Sequence, residues 1–423
     1  MRNVLVITHL LKASPRIPGL AKYLPEFGWQ PVILTAPLEE KPDAKFRIVE
    51  TEYRETLGFW KKAFGLNPNK DEKTQIKERF GITSQKSLID FAITRVGEIV
   101  NYPDSDKGWK PFAIKTGSEV IAKEGIGAII SSSSPVTAHV IASELKSVHK
   151  IPWLADLRDL WSQNHNYSYS TLRKLIDEKL ELKTLSTADA LITVSQPWAE
   201  KLSGLHQGKA TYTITNGFDP GEVNDPPADM TSKFSITYTG LIYHGKQDIS
   251  KLFSAVRDLI SERVIDPIDI EVRFYGAREN WLDREIELYG LSGIASQYGS
   301  VSRSVALQKQ RESQLLLLLD WDDPQERGTY PGKIFEYLAA RRPILATGGS
   351  AEGVVAGLLE KTGTGIWALT AADVKDALKE FYMEFKAQGK LSWHGNENEV
   401  SQYSYREMAK KFAEILDNLA PGK

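Results

Sequence analysis

The sequence predicts an α/β chain of two domains, each of them a parallel sheet with helices on both faces. Short apolar strands alternate with helical segments through the first half, and a loop rich in Pro, Asp and Asn follows at residues 216–229. The same alternation then restarts and continues to about residue 347. Apolar strands separated by helices are typical of doubly wound parallel sheets. A length of 423 residues also favours two domains over one.

Each predicted strand is a short apolar run bounded by turn residues. The first half contains strands at residues 4–8, 30–35, 128–131, 153–156, 190–195 and 211–215, with helices at 18–27 and 136–148. The second half contains strands at residues 235–239, 270–275, 294–298, 315–319 and 343–347, and the tail at 403–419 has a helical pattern. Both halves therefore have enough strands for a sheet of their own.

The domain boundaries follow from this alternation. We expect a first domain over residues 1–217, a second over 218–400, and a terminal helical segment over 401–423 that packs back towards the first domain. Between residues 38 and 112 the alternation lapses, which predicts a helical insertion. Within it, residues 59–86 are aromatic and basic, and two interpretations stay open: a solvated insertion, or a surface that touches a membrane or a lipid-linked substrate.

Composition excludes several classes of function. The net charge is −2, so no basic field favours a nucleic-acid partner. The chain has no cysteine, which excludes disulfides, thiolate metal sites and cysteine nucleophiles. No apolar run approaches the length of a membrane span, and the first strand is too short for the core of a signal peptide. These observations predict a cytoplasmic protein, or one that is peripheral at the inner membrane face.

The most informative segment is residues 328–345, which lies between two apolar strands. A loop with Pro331 and Gly332 opens a helix there, and Lys333 and Glu336 lie three positions apart on one face of it. Free backbone N–H groups at a helix start, beside a lysine, form a binding site for phosphate. Glu336, one turn further on, is placed to accept hydrogen bonds from a ribose. This combination favours a sugar nucleotide as the ligand.

The chain resembles the retaining glycosyltransferases of the GT-B fold that are usually grouped as glycosyltransferase family 4. The resemblance extends over most of the chain, excluding the insertion at 38–112, and is carried by residues 130–139, 152–161, 188–195, 215–219, 238–246 and 331–336. It implies two Rossmann-like domains that face each other across a cleft. It also implies transfer from a UDP- or GDP-sugar to a glycan or lipid-linked acceptor, in cell-surface polysaccharide or glycoconjugate synthesis, without a separate cofactor.

The resemblance also assigns roles to individual residues. The donor would be bound by residues from the second domain, which are Gly240, Lys246, Gly332, Lys333, Ile334 and Glu336. Arg16 is predicted from its place in the loop after the first strand to face the acceptor or the donor phosphate. His139 would hold the donor sugar, and Asp156 and Arg158 would position the donor sugar or the acceptor. From the residues alone, other roles stay open. His139 can be structural, and Arg158 can form ion pairs with Asp156 and Asp159 that stabilise the domain.

The chain departs from the pattern of this family at two positions of the donor site. Family members often carry a pair of glutamates eight positions apart; counting back from Glu336 gives Gly328, and Glu326 is out of register. Leu241 occupies a position that is commonly Arg, so contacts to the diphosphate would rest on lysines and the helix start. Two alternatives to a transferase are kept: a sugar-nucleotide epimerase of the same fold, and an inactive sugar-nucleotide-binding protein.

Asp320 and Asp322 form an Asp-x-Asp sequence, which in another glycosyltransferase fold holds a divalent metal. Here the pair ends a predicted strand of the second domain, and we expect it to cap the passage from strand to loop. The seven histidines are scattered along the chain. The prediction is therefore a reaction without an essential metal.

Overall fold

The computed structural model describes residues 1–10, 15–39, 46–54, 98, 101–167, 169–223 and 228–420. The chain divides into two compact units. Unit 1 is Met1–Ile214 together with Ala409–Lys423, and unit 2 is Thr215–Met408. Residues 59–86, where a membrane contact was predicted from the sequence, lie outside the described residues.

Unit 1 is built on a seven-stranded parallel sheet with the order β3-β2-β1-β4-β5-β6-β7. Its strands are β1 Arg2–Ile7, β2 Trp29–Thr35, β3 Arg47–Glu50, β4 Ile126–Ser133, β5 Trp153–Leu157, β6 Ala190–Thr193 and β7 Ala210–Thr213. Its described α-helices are Arg16–Tyr23, Lys110–Glu124, Thr137–His149, Thr171–Leu185 and Gln196–Leu205, with 3₁₀ turns at Leu24–Phe27 and Lys107–Trp109. The strand order reverses between β1 and β4.

Unit 2 repeats the plan with six parallel strands in the order β10-β9-β8-β11-β12-β13. The strands are β8 Phe234–Thr239, β9 Ile270–Tyr275, β10 Ala295–Gln297, β11 Leu315–Leu319, β12 Ile344–Thr347 and β13 Gly365–Ala368. The helices are Ser250–Ser261, Asn280–Leu288, Arg303–Arg311, Lys333–Ala340, Val354–Thr362, Ala371–Gln388 and Glu397–Ser401, with a 3₁₀ turn at Pro220–Glu222. The last helix, Tyr405–Leu419, begins in unit 2 and ends in unit 1.

Strand β11 is a run of leucines because the sheet of unit 2 is covered on both faces. Successive side chains of a strand point to opposite faces. Leu315, Leu317 and Leu319 lie in a core with the helices Ser250–Ser261 and Ala371–Gln388. Leu316 and Leu318 lie in a second core, against the helix Lys333–Ala340. An all-leucine strand is therefore needed because neither of its faces meets water.

Two strands were missed by the sequence analysis, and both are at sheet edges. Strand β3 pairs in parallel with β2 inside the segment 38–112, so the prediction that the alternation lapses throughout that segment was wrong. Strand β13 pairs with β12 at the edge of the other sheet. Most residues of these strands are partly exposed, so neither strand shows the apolar run that marks a buried strand.

No helix in the described part of the chain is both long enough and apolar enough to cross a membrane.

Candidate functional site

In unit 2 the strand order reverses between β8 and β11, and open α/β sheets bind ligands outside the carboxyl ends of the strands at such a point. Strand β8 runs into Gly240, which has a φ of +107°. Strand β9 runs into Gly276, where a Cβ atom would lie 2.1 Å from the carbonyl oxygen of Gly240. The two turns thus pack backbone against backbone, and only glycine fits at position 276.

The side chain of Lys333 lies directly over the first of these turns. A Cβ atom at Gly240 would be 2.5 Å from Cε and 2.9 Å from Nζ of Lys333, so the glycine makes room for the lysine. The ammonium is 5.1 Å from the centre of the Tyr238 ring. Within the described ranges it makes no hydrogen bond or ion pair. Burial lowers the pKa of Lys333, and the nearby Glu336 opposes that shift. An anionic ligand would supply a second negative charge beside the one on Glu336 and offset the cost of burying the ammonium.

Glu336 lies on the same helix and is held by Gln310. The Nε2 amide of Gln310 donates to Oε2 of Glu336 at 3.0 Å and to Oγ1 of Thr239, the last residue of β8, at 2.9 Å. Gln310 is fully buried, whereas Glu336 is partly exposed. The buried amide therefore fixes one carboxylate oxygen, and the other is left to accept hydrogen bonds from a ligand.

Gly332 and Ile334 flank Lys333 at this helix start. Gly332 is the exposed N-cap residue, no side chain caps the helix, and a Cβ at this position would meet nothing within 4 Å. Ile334 has its side chain in the core, and its N–H donates to the Pro331 carbonyl at 3.0 Å. The opening helix turn is thus open to solvent at Gly332 and anchored in the core at Ile334.

Lys246 lies six positions beyond Gly240 in the loop that follows β8. It is exposed, and its ammonium is 4.6 Å from the centre of the Trp321 ring, just after β11. The same loop lines a cavity of about 310 Å³ together with Trp281, Glu285 and Asp322. The cation therefore lies at the ligand-binding edge of the sheet, in a loop beside a cavity.

Asp320 and Asp322 differ too much in environment to act as a matched pair of metal ligands. Asp320 is buried, its Oδ1 accepts from the Trp321 N–H at 2.8 Å, and burial raises its pKa to about 7. Asp322 is more exposed and forms an ion pair of 3.1 Å with Lys251. Asp320 therefore caps the end of β11. No group of three or more His, Asp or Glu side chains that could hold a metal was found in the parts of the chain that the structure describes.

In unit 1, Arg16 and Asp156 form a buried ion pair. Arg16 is the first residue of the helix Arg16–Tyr23, so its predicted place in a loop was wrong. Its Nη2 donates to Oδ1 of Asp156 at 2.9 Å and its Nε to Oδ2 at 3.2 Å, while Ser132 Oγ donates to Oδ2 at 2.8 Å. Neither charged side chain is exposed. The pair braces β4, β5 and this helix, and a phosphate contact by Arg16 stays a prediction.

Arg158 follows β5, and among the described residues its guanidinium hydrogen-bonds to backbone carbonyls and forms no ion pair. Its Nε donates to the carbonyl of Ser133 at 2.6 Å and its Nη2 to that of Ser134 at 3.1 Å. Burial lowers the pKa of Arg158, and the charges of Asp156 and Asp159 oppose that shift. Arg158 thus holds the turn after β4, and the partner of Asp156 is Arg16.

His139 is fully buried near the start of the helix Thr137–His149. Its Nδ1 is 2.7 Å from Oγ of Ser131, which also accepts from the Trp153 indole N–H at 2.7 Å. A hydroxyl oxygen has two acceptor lone pairs, so Ser131 can either donate to Nδ1 or accept from it, and both neutral tautomers of His139 are compatible with this contact. Nε2 has no hydrogen-bond partner in the part of the protein that the structure describes. Burial lowers the pKa of His139 to about 4, so the ring is neutral at pH 7.

Acid should destabilise the protein through His139. An unfolded histidine has a pKa of about 6.5, so the unfolded chain binds the extra proton first as the pH falls. We expect this residue to remove about 3 kcal/mol of stability between pH 7 and pH 4. Urea titrations across this range should show a weaker pH dependence for His139→Gln than for the wild type. Equal slopes would contradict the assignment of a neutral buried ring.

A histidine–carboxylate pair at the end of β1 was missed. His9 Nε2 is 3.8 Å from Oδ1 of Asp106, and the imidazole lies edge-on to Tyr53 and Trp109, with centroids 6.4 Å away in each case. Both members of the pair are buried. His9 was visible in the sequence as a polar residue just past a strand, but its partner is 97 positions away and no spacing rule joins them.

The fold is shared with solved structures. A glycosyltransferase from Rickettsia africae is 14% identical, with 100% of this chain and 99% of that chain covered and a TM-score of 0.58. HepE from Anabaena, in complex with UDP, is 12% identical, with 99% and 100% covered and a TM-score of 0.61. The chain has the GT-B fold. The predicted fold class, with two Rossmann-like sheets, is confirmed.

The fold is not confined to transferases. A Listeria monocytogenes protein assigned as a UDP-N-acetylglucosamine 2-epimerase is 12% identical, with 100% of this chain and 97% of that chain covered and a TM-score of 0.51. No family model matches this chain, and no curated protein matches it in sequence. At such identities the likeness establishes the architecture, and the activity has to be argued from the residues.

Proposed function

We propose that this protein is a glycosyltransferase that takes a sugar from a nucleoside-diphosphate sugar bound at the switch point of unit 2. The observation that carries the proposal is the half-buried Lys333 ammonium, which lies over Gly240 and makes no ion pair within the described residues. It stabilises the diphosphate as negative charge develops on the leaving group. Glu336, held by Gln310, binds the ribose hydroxyls. HepE has been solved with UDP and with UDP-glucose, which makes uridine donors the first to test.

We further propose that the acceptor is a glycan or a lipid-linked sugar, that the protein works in the cytoplasm or at the inner membrane face, and that the anomeric configuration is retained without an essential metal. In a retaining reaction the departing diphosphate takes the proton of the incoming hydroxyl, so no protein base is needed. Lys333 would then orient the same phosphate oxygens that assist the acceptor. These points rest on the resemblance and on the chemistry of the donor residues.

The deciding experiment incubates the protein with a panel of nucleotide sugars, with and without a chelator. We expect slow release of free nucleoside diphosphate from one donor, at an equal rate in both arms. Interconversion of two nucleotide sugars without release would identify an epimerase instead. If no donor binds or turns over, the proposed transferase is wrong.

Gln310→Leu should weaken nucleoside-diphosphate binding by about tenfold, because the Glu336 carboxylate loses the donor that orients it. The loss of affinity should be smaller for a nucleotide that lacks the ribose hydroxyls. Calorimetry with UDP and with 2′,3′-dideoxy-UDP measures the two affinities. Gln308→Leu is the matched control, since Gln308 is exposed on the same helix. An equal loss for both ligands would mean that Gln310 does not act through the ribose.

A further inference from the structure

The helix Thr171–Leu185 buries its polar face. Arg173, Asp177, Glu181 and Thr184 are buried, and the Arg173 Nε donates to Asp177 Oδ1 at 3.0 Å. The Glu181 carboxylate accepts from the Ser162 N–H at 2.9 Å and contacts His206 Nε2 at 3.3 Å. These satisfied polar contacts attach the helix to unit 1. The outward face is therefore not needed for the attachment.

That outward face is apolar, the reverse of an ordinary surface helix. Four aliphatic side chains are exposed, by 37–70%; they are Leu172, Leu175, Ile176 and Leu182. Lys179 and Lys183 are exposed as well. The six residues follow the spacing of one continuous helical stripe. We call these six residues the outer stripe.

The charges of the outer stripe indicate what covers it. The ionisable side chains of the stripe are Lys179 and Lys183, and the half-buried Glu178 borders it. Pairing with a second copy would therefore bring lysines together. A bilayer that contains anionic lipids can accommodate both the aliphatic and the cationic side chains. The aliphatic side chains enter the boundary of the acyl chains, and the lysine stems are buried while their ammonium groups stay at the phosphates. Tyr169, which is 38% exposed just before the helix, has the amphipathic ring typical of such an interface.

We propose that the outer stripe docks unit 1 on an anionic membrane surface. This surface is distinct from residues 59–86, and the proposal does not depend on the enzymatic activity. Binding is peripheral, because the stripe covers one face of a single helix. The affinity for the membrane should fall as the salt concentration rises. Removing one lysine should lower that affinity by about fivefold.

The test is co-sedimentation of the full chain with vesicles of phosphatidylcholine, with and without phosphatidylglycerol. We expect binding only to the anionic vesicles. The triple variant Leu172→Ser, Leu175→Ser and Ile176→Ser should lose at least about tenfold in partitioning. The control is Ile268→Ser with Leu288→Ser, two aliphatic positions in unit 2 that are 75% and 76% exposed, which should bind as the wild type does.

A second pair of variants tests the charges. Lys179→Gln with Lys183→Gln should bind anionic vesicles about 25-fold more weakly, while Lys379→Gln with Lys390→Gln, both exposed in unit 2, should change nothing. All variants alter exposed side chains, and circular dichroism checks that they fold. Wild-type binding by the triple serine variant would overturn the proposal, as would no binding of the wild type to either vesicle. Self-association that the triple variant abolishes would assign the outer stripe to a second copy instead.

Discussion

Asp156→Asn should lower the free energy of unfolding by about 3–5 kcal/mol. The substitution keeps the shape of the side chain but removes its negative charge, so the buried guanidinium of Arg16 loses the carboxylate to which it donates two hydrogen bonds. Both side chains of this pair are inaccessible, and two hydrogen bonds of 2.9 and 3.2 Å join them. Water cannot reach the arginine to replace the lost partner. Urea unfolding followed by tryptophan fluorescence measures the change.

Two further variants make this result interpretable. Glu144→Gln is the control in the same unit, because Glu144 pairs with Lys110 at the surface and should contribute about 1 kcal/mol or less. The double variant Arg16→Met with Asp156→Leu removes both charges and should be more stable than Asp156→Asn. If Asp156→Asn unfolds at the same urea concentration as the wild type, the ion pair does not brace unit 1.

Lys333→Met should weaken nucleoside-diphosphate binding by about 1.5–3 kcal/mol, which is about 10- to 150-fold. The same change should leave the unliganded protein as stable as before, or more stable. The reason is the state of the lysine: it is half-buried over Gly240, its pKa is lowered, and it makes no hydrogen bond or ion pair within the described chain. Methionine fills a similar volume without a charge to desolvate.

Calorimetry with UDP measures the change in binding, and urea unfolding measures the change in stability. Lys379→Met, at an exposed position in the same unit, should alter neither quantity. Weaker binding with reduced stability would show that Lys333 is structural. Unchanged affinity would place the phosphates elsewhere, with the exposed Lys246 as the next candidate.

The sequence was sufficient to predict the buried strands and the helix that carries Lys333 and Glu336. Strand β11 is an unbroken run of leucines because both of its faces are covered, and such runs are legible without a structure. The half-exposed edge strands β3 and β13 carry no such signal. Lys333 and Glu336 could be found because they lie three positions apart in one helix, so local geometry alone puts them on one face.

Contacts between distant segments could not be predicted in this way. Arg16 and Asp156 are 140 positions apart, and either residue alone could have been a ligand contact. Gln310 lies in a different helix from Glu336, and nothing in its local sequence distinguishes it from the exposed Gln308. A side chain whose role is to orient another one becomes visible only when the chain has been folded.

The close approach of Gly276 to Gly240 bears on how this protein can diverge. A methyl group at position 276 would collide with the neighbouring carbonyl and push away the turn on which Lys333 rests. Substitutions at Gly240, Gly276 and Lys333 are therefore coupled. In an alignment of descendants we expect them to be inherited as a set, and a lineage that has replaced Gly276 should also have abandoned the lysine.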